Sequence, residues 1–108
     1  MKDYVLVLTT CPENEADTLA QILVASKKCA CVNILPKVQS IYHWKGEIEK
    51  GKESLLLMKT EKALTDKLWE VIKINHSYDV PEFVIIPILG GSDTYLSWIS
   101  ESVRDDSD

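Results

Sequence analysis

Three segments of this chain are apolar at consecutive positions: residues 4–10 (Tyr-Val-Leu-Val-Leu-Thr-Thr), the Leu-Leu-Leu-Met run at 55–58, and residues 83–89 (Phe-Val-Ile-Ile-Pro-Ile-Leu). A strand sends successive side chains to opposite faces, so strands that read this way are buried on both faces and belong inside a sheet. Each is bounded by a breaker or a turn: Pro12 after the first, and Gly90-Gly91 after the third.

Between these strands the period changes. From Glu13, apolar residues fall at Ala16, Leu19, Ala20 and Leu23, one face of a helix, with Glu13, Glu15 and Asp17 near its start and Lys27 and Lys28 at its end, as the helix dipole favours. A second helix is predicted over 62–75, with Leu64, Leu68, Val71 and Ile72 on one face and Asp79-Val-Pro81 breaking it off. Residues 32–44 follow a period of two, with Val32, Ile34, Val38, Tyr42 and Trp44 on one parity. Pro36 predicts a bulge or an edge position there. Lys45-Gly46 turns the chain, and 47–60 returns as the partner strand, with a further bulge expected at Gly51-Lys52. A short last helix, capped by Ser92 or Asp93, carries Tyr95, Leu96, Trp98, Ile99 and Val103, with Trp98 as its expected anchor and 104–108 as a frayed tail of the one domain, 1–108.

Strand, helix, strand, strand, helix, strand is the split βαβ order of an α+β ferredoxin-like fold: a four-stranded antiparallel sheet with two helices on one face, here with a long hairpin between its second and third strands. The opposite face is left bare although the strands are apolar on both parities. Four strands of about six residues present roughly 380 Å², whose burial is worth on the order of 10 kcal/mol at about 25 cal/mol per Å². Such a face, with a hairpin tipped by Tyr42 and Trp44, points to an oligomer; a well-filled monomer core is the competing reading.

The charge balance excludes several function classes. Seventeen acidic against 12 basic residues give a net charge of −5, which repels phosphate backbones and argues against nucleic-acid binding. An RNA-recognition domain shares the order of elements but needs aromatic platforms where this chain has Leu55 to Met58. No apolar run approaches the length of a membrane span, and the run after Met1-Lys2-Asp3 is too short for a signal peptide. Cys11, Cys29 and Cys31 are odd in number and lack CxxC spacing, the usage of a reducing compartment, so a cytoplasmic location is expected.

Four stretches carry a family resemblance: Cys31-Val-Asn-Ile34; Ser40-Ile-Tyr-His-Trp-Lys-Gly46 running through Glu53 to Lys59-Thr60; His76-Ser-Tyr-Asp-Val-Pro-Glu82; and Tyr95-Leu-Ser-Trp-Ile99. In this order and spacing the chain resembles the CutA family of divalent-cation-tolerance proteins. The resemblance implies a homotrimer, a fold-level likeness to PII signalling proteins, a role in tolerance to copper and other divalent cations with Cu(II) or a similar ion as ligand, no cofactor needed for folding, and no enzymatic activity. This chain departs from the family pattern at Ser77, where proline is usual after the histidine, at Asn75-His76, where the bacterial copper site has two adjacent histidines, and at Thr9, where that site's cysteine falls.

Cys11 and His76 are therefore the candidate metal ligands, a thiolate and an imidazole being donors that copper favours, expected at one end of the sheet. The competing reading is a small buried cysteine and a hydrogen-bonded helix terminus. Glu53, Lys59, Tyr78 and Glu82 match polar positions in the family's motifs and, with Tyr42 and Trp44, are candidates to line a cleft between subunits; the alternative is that they align the assembly by hydrogen bonds and ion pairs. A PII-like signalling or scaffold trimer, binding a small anionic ligand or a partner protein there, is the second functional reading, although the connection at Lys45-Gly46 is too short for the long mobile loop of PII proteins. An acyl-phosphate hydrolase on this fold needs a positioned arginine, and the only arginine is Arg104, near the C-terminus.

Overall fold

The structure, a computed structural model, describes residues 2–105. Its elements are β1 (Tyr4–Cys11), α1 (Ala16–Ala25), β2 (Cys31–Trp44), β3 (Glu47–Glu61), α2 (Thr65–Asn75), β4 (Val84–Pro87) and α3 (Asp93–Ser102). Both α1 and α2 are entered through a single 3₁₀ turn, Glu13–Glu15 and Lys62–Leu64, so regular α geometry begins three residues later than the periodicity predicts. The sheet order is β2-β3-β1-β4 and every pairing is antiparallel, the split βαβ arrangement. Among the described residues, no helix is long and apolar enough to cross a membrane.

Alternation along β1 decides where the core lies. Val5, Val7, Thr9 and Cys11 are buried, and their partners in β3 are Thr60, Met58, Leu56 and Ser54. Of these, Val5, Val7, Cys11, Leu56 and Met58 meet Leu19, Ala20 and Leu23 of α1 and Leu68 and Ile72 of α2 in one cluster. Truncating any of its fully buried leucines would cost about 2–5 kcal/mol. Trp69 packs at the margin of this cluster against Phe83, ring centroids 4.7 Å apart.

The other side of the sheet is covered only at one end. There Ile99 of α3 and Val103, the residue after it, are buried against Ala30 and Leu64, flanked by Tyr4, Cys31 and Leu96. The Tyr4 and Ser100 hydroxyls bond at 2.7 Å, Ser100 donates to Glu61, and the Ser92 hydroxyl caps the helix by accepting from the Tyr95 N–H. Ile99, not Trp98, is the anchor: one helical position shifts Trp98 off the docked face, where it stacks on Tyr95 instead. Leu6, Leu8, Leu55 and Leu57 of the central strands, with Val84 and Ile86 of β4, remain uncovered.

Three expectations change. The fourth strand is shorter than 83–89: it spans Val84–Pro87, and past it only the Ile88 N–H still reaches β1, at the carbonyl of its first residue, Tyr4. Gly51 and Lys52 carry no bulge; they pair regularly with Ser40 and Gln39. The one register shift between β2 and β3 lies at Pro36 and Lys37, where Lys37 takes φ 61°. The expected loose tail is tied at its start, since the Arg104 N–H donates to the Lys27 carbonyl, Lys28 Nζ to the Arg104 carbonyl, and Lys67 pairs with Asp105; residues 106–108 of that tail lie outside those described.

The bulge also reverses the parity read from the sequence. Leu35 pairs with Leu55 and Val38 with Glu53, so three steps along β2 match two along β3. Val32 and Ile34 face the helices, whereas Val38, Ser40, Tyr42 and Trp44 face the uncovered side. Beyond the bulge the hairpin runs out as an arm with Ile41 and Ile48 exposed, giving the chain a longest extent of 44 Å.

Candidate functional site

Where the arm leaves the sheet, the loop from α2 to β4 folds back over its root. His76, the residue after α2, anchors the loop. Its Nδ1 accepts the Tyr78 N–H at 3.1 Å, and its Nε2 lies 2.7 Å from the Thr10 carbonyl. An acceptor role at Nδ1 leaves the proton on Nε2, so the ring is the neutral tautomer that donates to Thr10. Tyr78, whose ring centroid is 4.8 Å from the imidazole, donates its hydroxyl to Glu53 Oε2 at 2.8 Å.

Loop and arm together enclose a cleft of about 760 Å³. The sheet contributes Thr10, Ser40, Tyr42, Trp44 and Glu53. The loop contributes Tyr78, Asp79 and Glu82, with Val80 and Pro81 as an apolar rim. Glu53, at 9% exposure, is a nearly buried carboxylate on the cleft floor. Its surroundings respond: burial and then the bond to Glu53 hold the Tyr78 phenol well above its ordinary range, and burial and then the Glu53 charge raise Glu82.

Five of the six residues expected to line a cleft are thus brought together: Tyr42, Trp44, Glu53, Tyr78 and Glu82. Lys59 is not with them. It lies six positions along β3, where its Nζ donates to the Tyr95 hydroxyl at 3.3 Å under α3. Thr10, Ser40 and Asp79 also line the cleft. Ser40 is within reach of simple alternation, since it stands two positions before Tyr42 on the same strand, whereas Asp79 reads in the sequence as a helix breaker.

Cys11 and His76 do come to one end of the sheet, since the imidazole bonds the carbonyl next to Cys11. Their donor atoms are both engaged or enclosed. Cys11 is fully buried on the helix side, and burial, then the charges of Glu15 and Glu53, push its thiol up to about 11. Thr9, at the position of the family's cysteine, is buried on the same side, and its hydroxyl has no hydrogen-bond partner among the described residues.

A split βαβ sheet with a bare apolar side, a bulged arm and a cleft at the arm's root defines a ferredoxin-like α+β protein. Residues 5–102 match the family model described as CutA1 divalent ion tolerance protein. Over 101 residues the chain is 45% identical to "Protein CutA, chloroplastic" of Arabidopsis thaliana, covering 93% of this chain and 56% of that one. Over 98 residues it is 46% identical to "Divalent-cation tolerance protein CutA" of Thermus thermophilus, covering 90% and 95%. The solved CutA1 from Oryza sativa superposes with a TM-score of 0.93 at 40% identity, over 97% of both chains. The chain belongs to the CutA1 divalent ion tolerance family. It spans 56–58% of the length of the two plant relatives it matches.

Proposed function

We propose that the protein acts as a cytoplasmic homotrimer in divalent-cation tolerance, binding Cu(II) or a similar cation and catalysing no reaction. The observation that carries the assembly is the uncovered side of the sheet, where Leu6, Leu8, Leu55 and Leu57 meet no helix of their own chain. The two sheet edges are unlike, β2 long and bulged, β4 four residues long and apolar. Unlike edges pair head to tail, and the smallest ring closed that way has three members.

For the cation, Cys11 and His76 are soft and borderline donors of the kind copper prefers. The lone pair His76 would offer is the one on Nδ1, so binding competes with the Tyr78 N–H and moves the loop. The three free cysteines suit a reducing compartment. Arg104 donates to the Glu101 and Val103 carbonyls, which favours binding over phosphoryl or acyl chemistry.

Light scattering on the dilute protein tests the assembly: a mass three times that of the chain is expected, and a stable single chain would overturn it. Copper titration tests the ligand, with micromolar or tighter binding weakened by His76→Ala expected; binding no stronger than that of the buffer would remove copper from the proposal.

A further inference from the structure

The cleft between the arm and the loop of residues 76–83 has a lining that selects for charge. Three carboxylates, Glu53, Asp79 and Glu82, face it, and no lysine or arginine does. Glu53 is nine-tenths buried and accepts one hydrogen bond, from Tyr78, but its charge has no cationic partner in its own chain; the ion pairs among the described residues are Lys2–Glu61, Lys67–Asp105 and Lys73–Glu70, all elsewhere. The lysines before and after the arm's turn do not supply one. Lys50 and Lys52 alternate to the other face of β3, and Lys45 lies 5.8 Å from the Trp44 ring at the hairpin tip without lining the cleft. A nearly buried carboxylate without a countercharge is costly, and a cation seated beside it removes that cost.

The walls say which kind of cation. Tyr42, Trp44 and Tyr78 present aromatic rings, and Val80 and Pro81 present aliphatic surface. A bare hard metal ion asks for a tight cage of six or so oxygens and gains nothing from such walls. A cleft of about 760 Å³ is also of the size that holds a small organic molecule. Carboxylates together with ring faces are the combination that recognises an alkylammonium group, through ion pairing at one end and cation–π attraction along the walls.

We infer that this cleft binds an organic ammonium compound, its nitrogen directed at Glu53 and its carbon body lying against Tyr42, Trp44 and Tyr78. This goes beyond the metal reading and does not rest on it, since neither Cys11 nor His76 lines the cleft. It also reverses the charge of the ligand expected from the PII likeness, because a small anion would enter against three carboxylates.

The test is isothermal titration of the intact protein, in a buffer without amines, with choline and putrescine as organic cations, Cu(II) and Mg(II) as inorganic ones, and citrate and ATP as anions. Saturable binding of at least one of the two organic cations, with Cu(II) present or absent, is expected, and neither anion should bind the cleft. Glu53→Gln keeps the size and the Tyr78 contact while removing the charge, and should weaken binding about tenfold or more; Trp44→Leu, at the exposed wall, should weaken it by a similar factor. Light scattering on each variant separates loss of the ligand from loss of the assembly. The inference is overturned if neither organic cation binds in the millimolar range, if the anions bind instead, or if Glu53→Gln leaves affinity unchanged. It is also overturned if Glu53→Gln instead dissociates the oligomer of a protein that takes up no amine, because Glu53 would then be paired by a second copy of the chain. A single-chain protein that binds choline would leave this inference standing and sink the trimer.

Discussion

The Tyr78 hydroxyl lies 2.8 Å from Glu53 Oε2 and closes the loop after α2 onto the third strand of the sheet. One hydrogen bond therefore joins the segment that carries His76 to the segment that roots the arm, and it does so over a carboxylate at 9% exposure.

Tyr78→Phe leaves Glu53 in place with its bond gone. An orphaned, nearly buried carboxylate costs about 1–3 kcal/mol, so the variant should melt several degrees lower, measured by thermal denaturation at neutral pH. Pairing it with Glu53→Gln in a double-mutant cycle should give a coupling clearly different from zero.

Glu82 is raised in the folded protein by burial and by the Glu53 charge. The folded state holds its proton at a pH where the unfolded state has released it, so this residue's favourable contribution is present below the ordinary glutamate range and is lost as pH rises through the raised value. Glu82→Gln should remove that part of the pH dependence and raise stability at neutral pH, checked by urea denaturation across the mildly acidic range.

The thiols separate by burial. Cys11 and Cys29 are pushed up to about 11 and about 12, both chiefly by burial, and are closed to solvent, whereas Cys31 is only half-buried. Alkylation of the native protein followed by mass spectrometry should label Cys31 first, with Cys11 and Cys29 protected until unfolding. Raised thiols bind protons more tightly folded than unfolded, so stability should fall as pH rises from the ordinary thiol value of 9.0 toward 11, and Cys11→Ala should flatten that decline.

Deleting Lys37 removes the extra residue of the bulge. Two steps along β2 then match two along β3, so Ser40, Tyr42 and Trp44 keep their partners Gly51, Glu49 and Glu47 and stay on the uncovered side, while the extra local twist of the bulge is lost. The expected result is a folded sheet with the native far-ultraviolet circular dichroism and tryptophan fluorescence close to that of the parent protein; a large fluorescence change would mean that Trp44 had left the uncovered side and would overturn this register.

Leu57→Glu places a charge in the middle of the uncovered side, where Leu57 pairs with Leu8 and Asn33. In one chain the position is only partly buried, so secondary structure should persist, while the proposed trimer should fall to single chains by light scattering because a desolvated charge without a partner costs several kcal/mol.

Much of this was legible from one-dimensional pattern. Ala16, Leu19, Ala20 and Leu23 repeat at helical spacing and do line the core, and Leu55 to Met58 do stand at the centre of the sheet. Where reading failed, a single residue or a distant one intervened. Lys37, in a left-handed conformation, adds one position and inverts the parity of everything after it, so the alternation drawn straight through Pro36 joined residues that face opposite sides. Trp98 is the larger side chain, yet Ile99 is the one the docking angle of α3 buries.

The amino-acid sequence by itself determined the order of elements, the core stripe of α1 and that of α2 apart from Leu64, which packs under α3, and the excess of apolar surface on the sheet, because periodicity and breakers act between near neighbours in the chain. Only the tertiary structure decided that Glu53 meets Tyr78, that Lys59 is spent under α3, and that Tyr42 and Trp44 share a cleft with three carboxylates and no cation of their own chain. Those relations join residues separated by many positions, and they depend on the bulge, the crossover angles and the loop path, which set distances that no local pattern encodes.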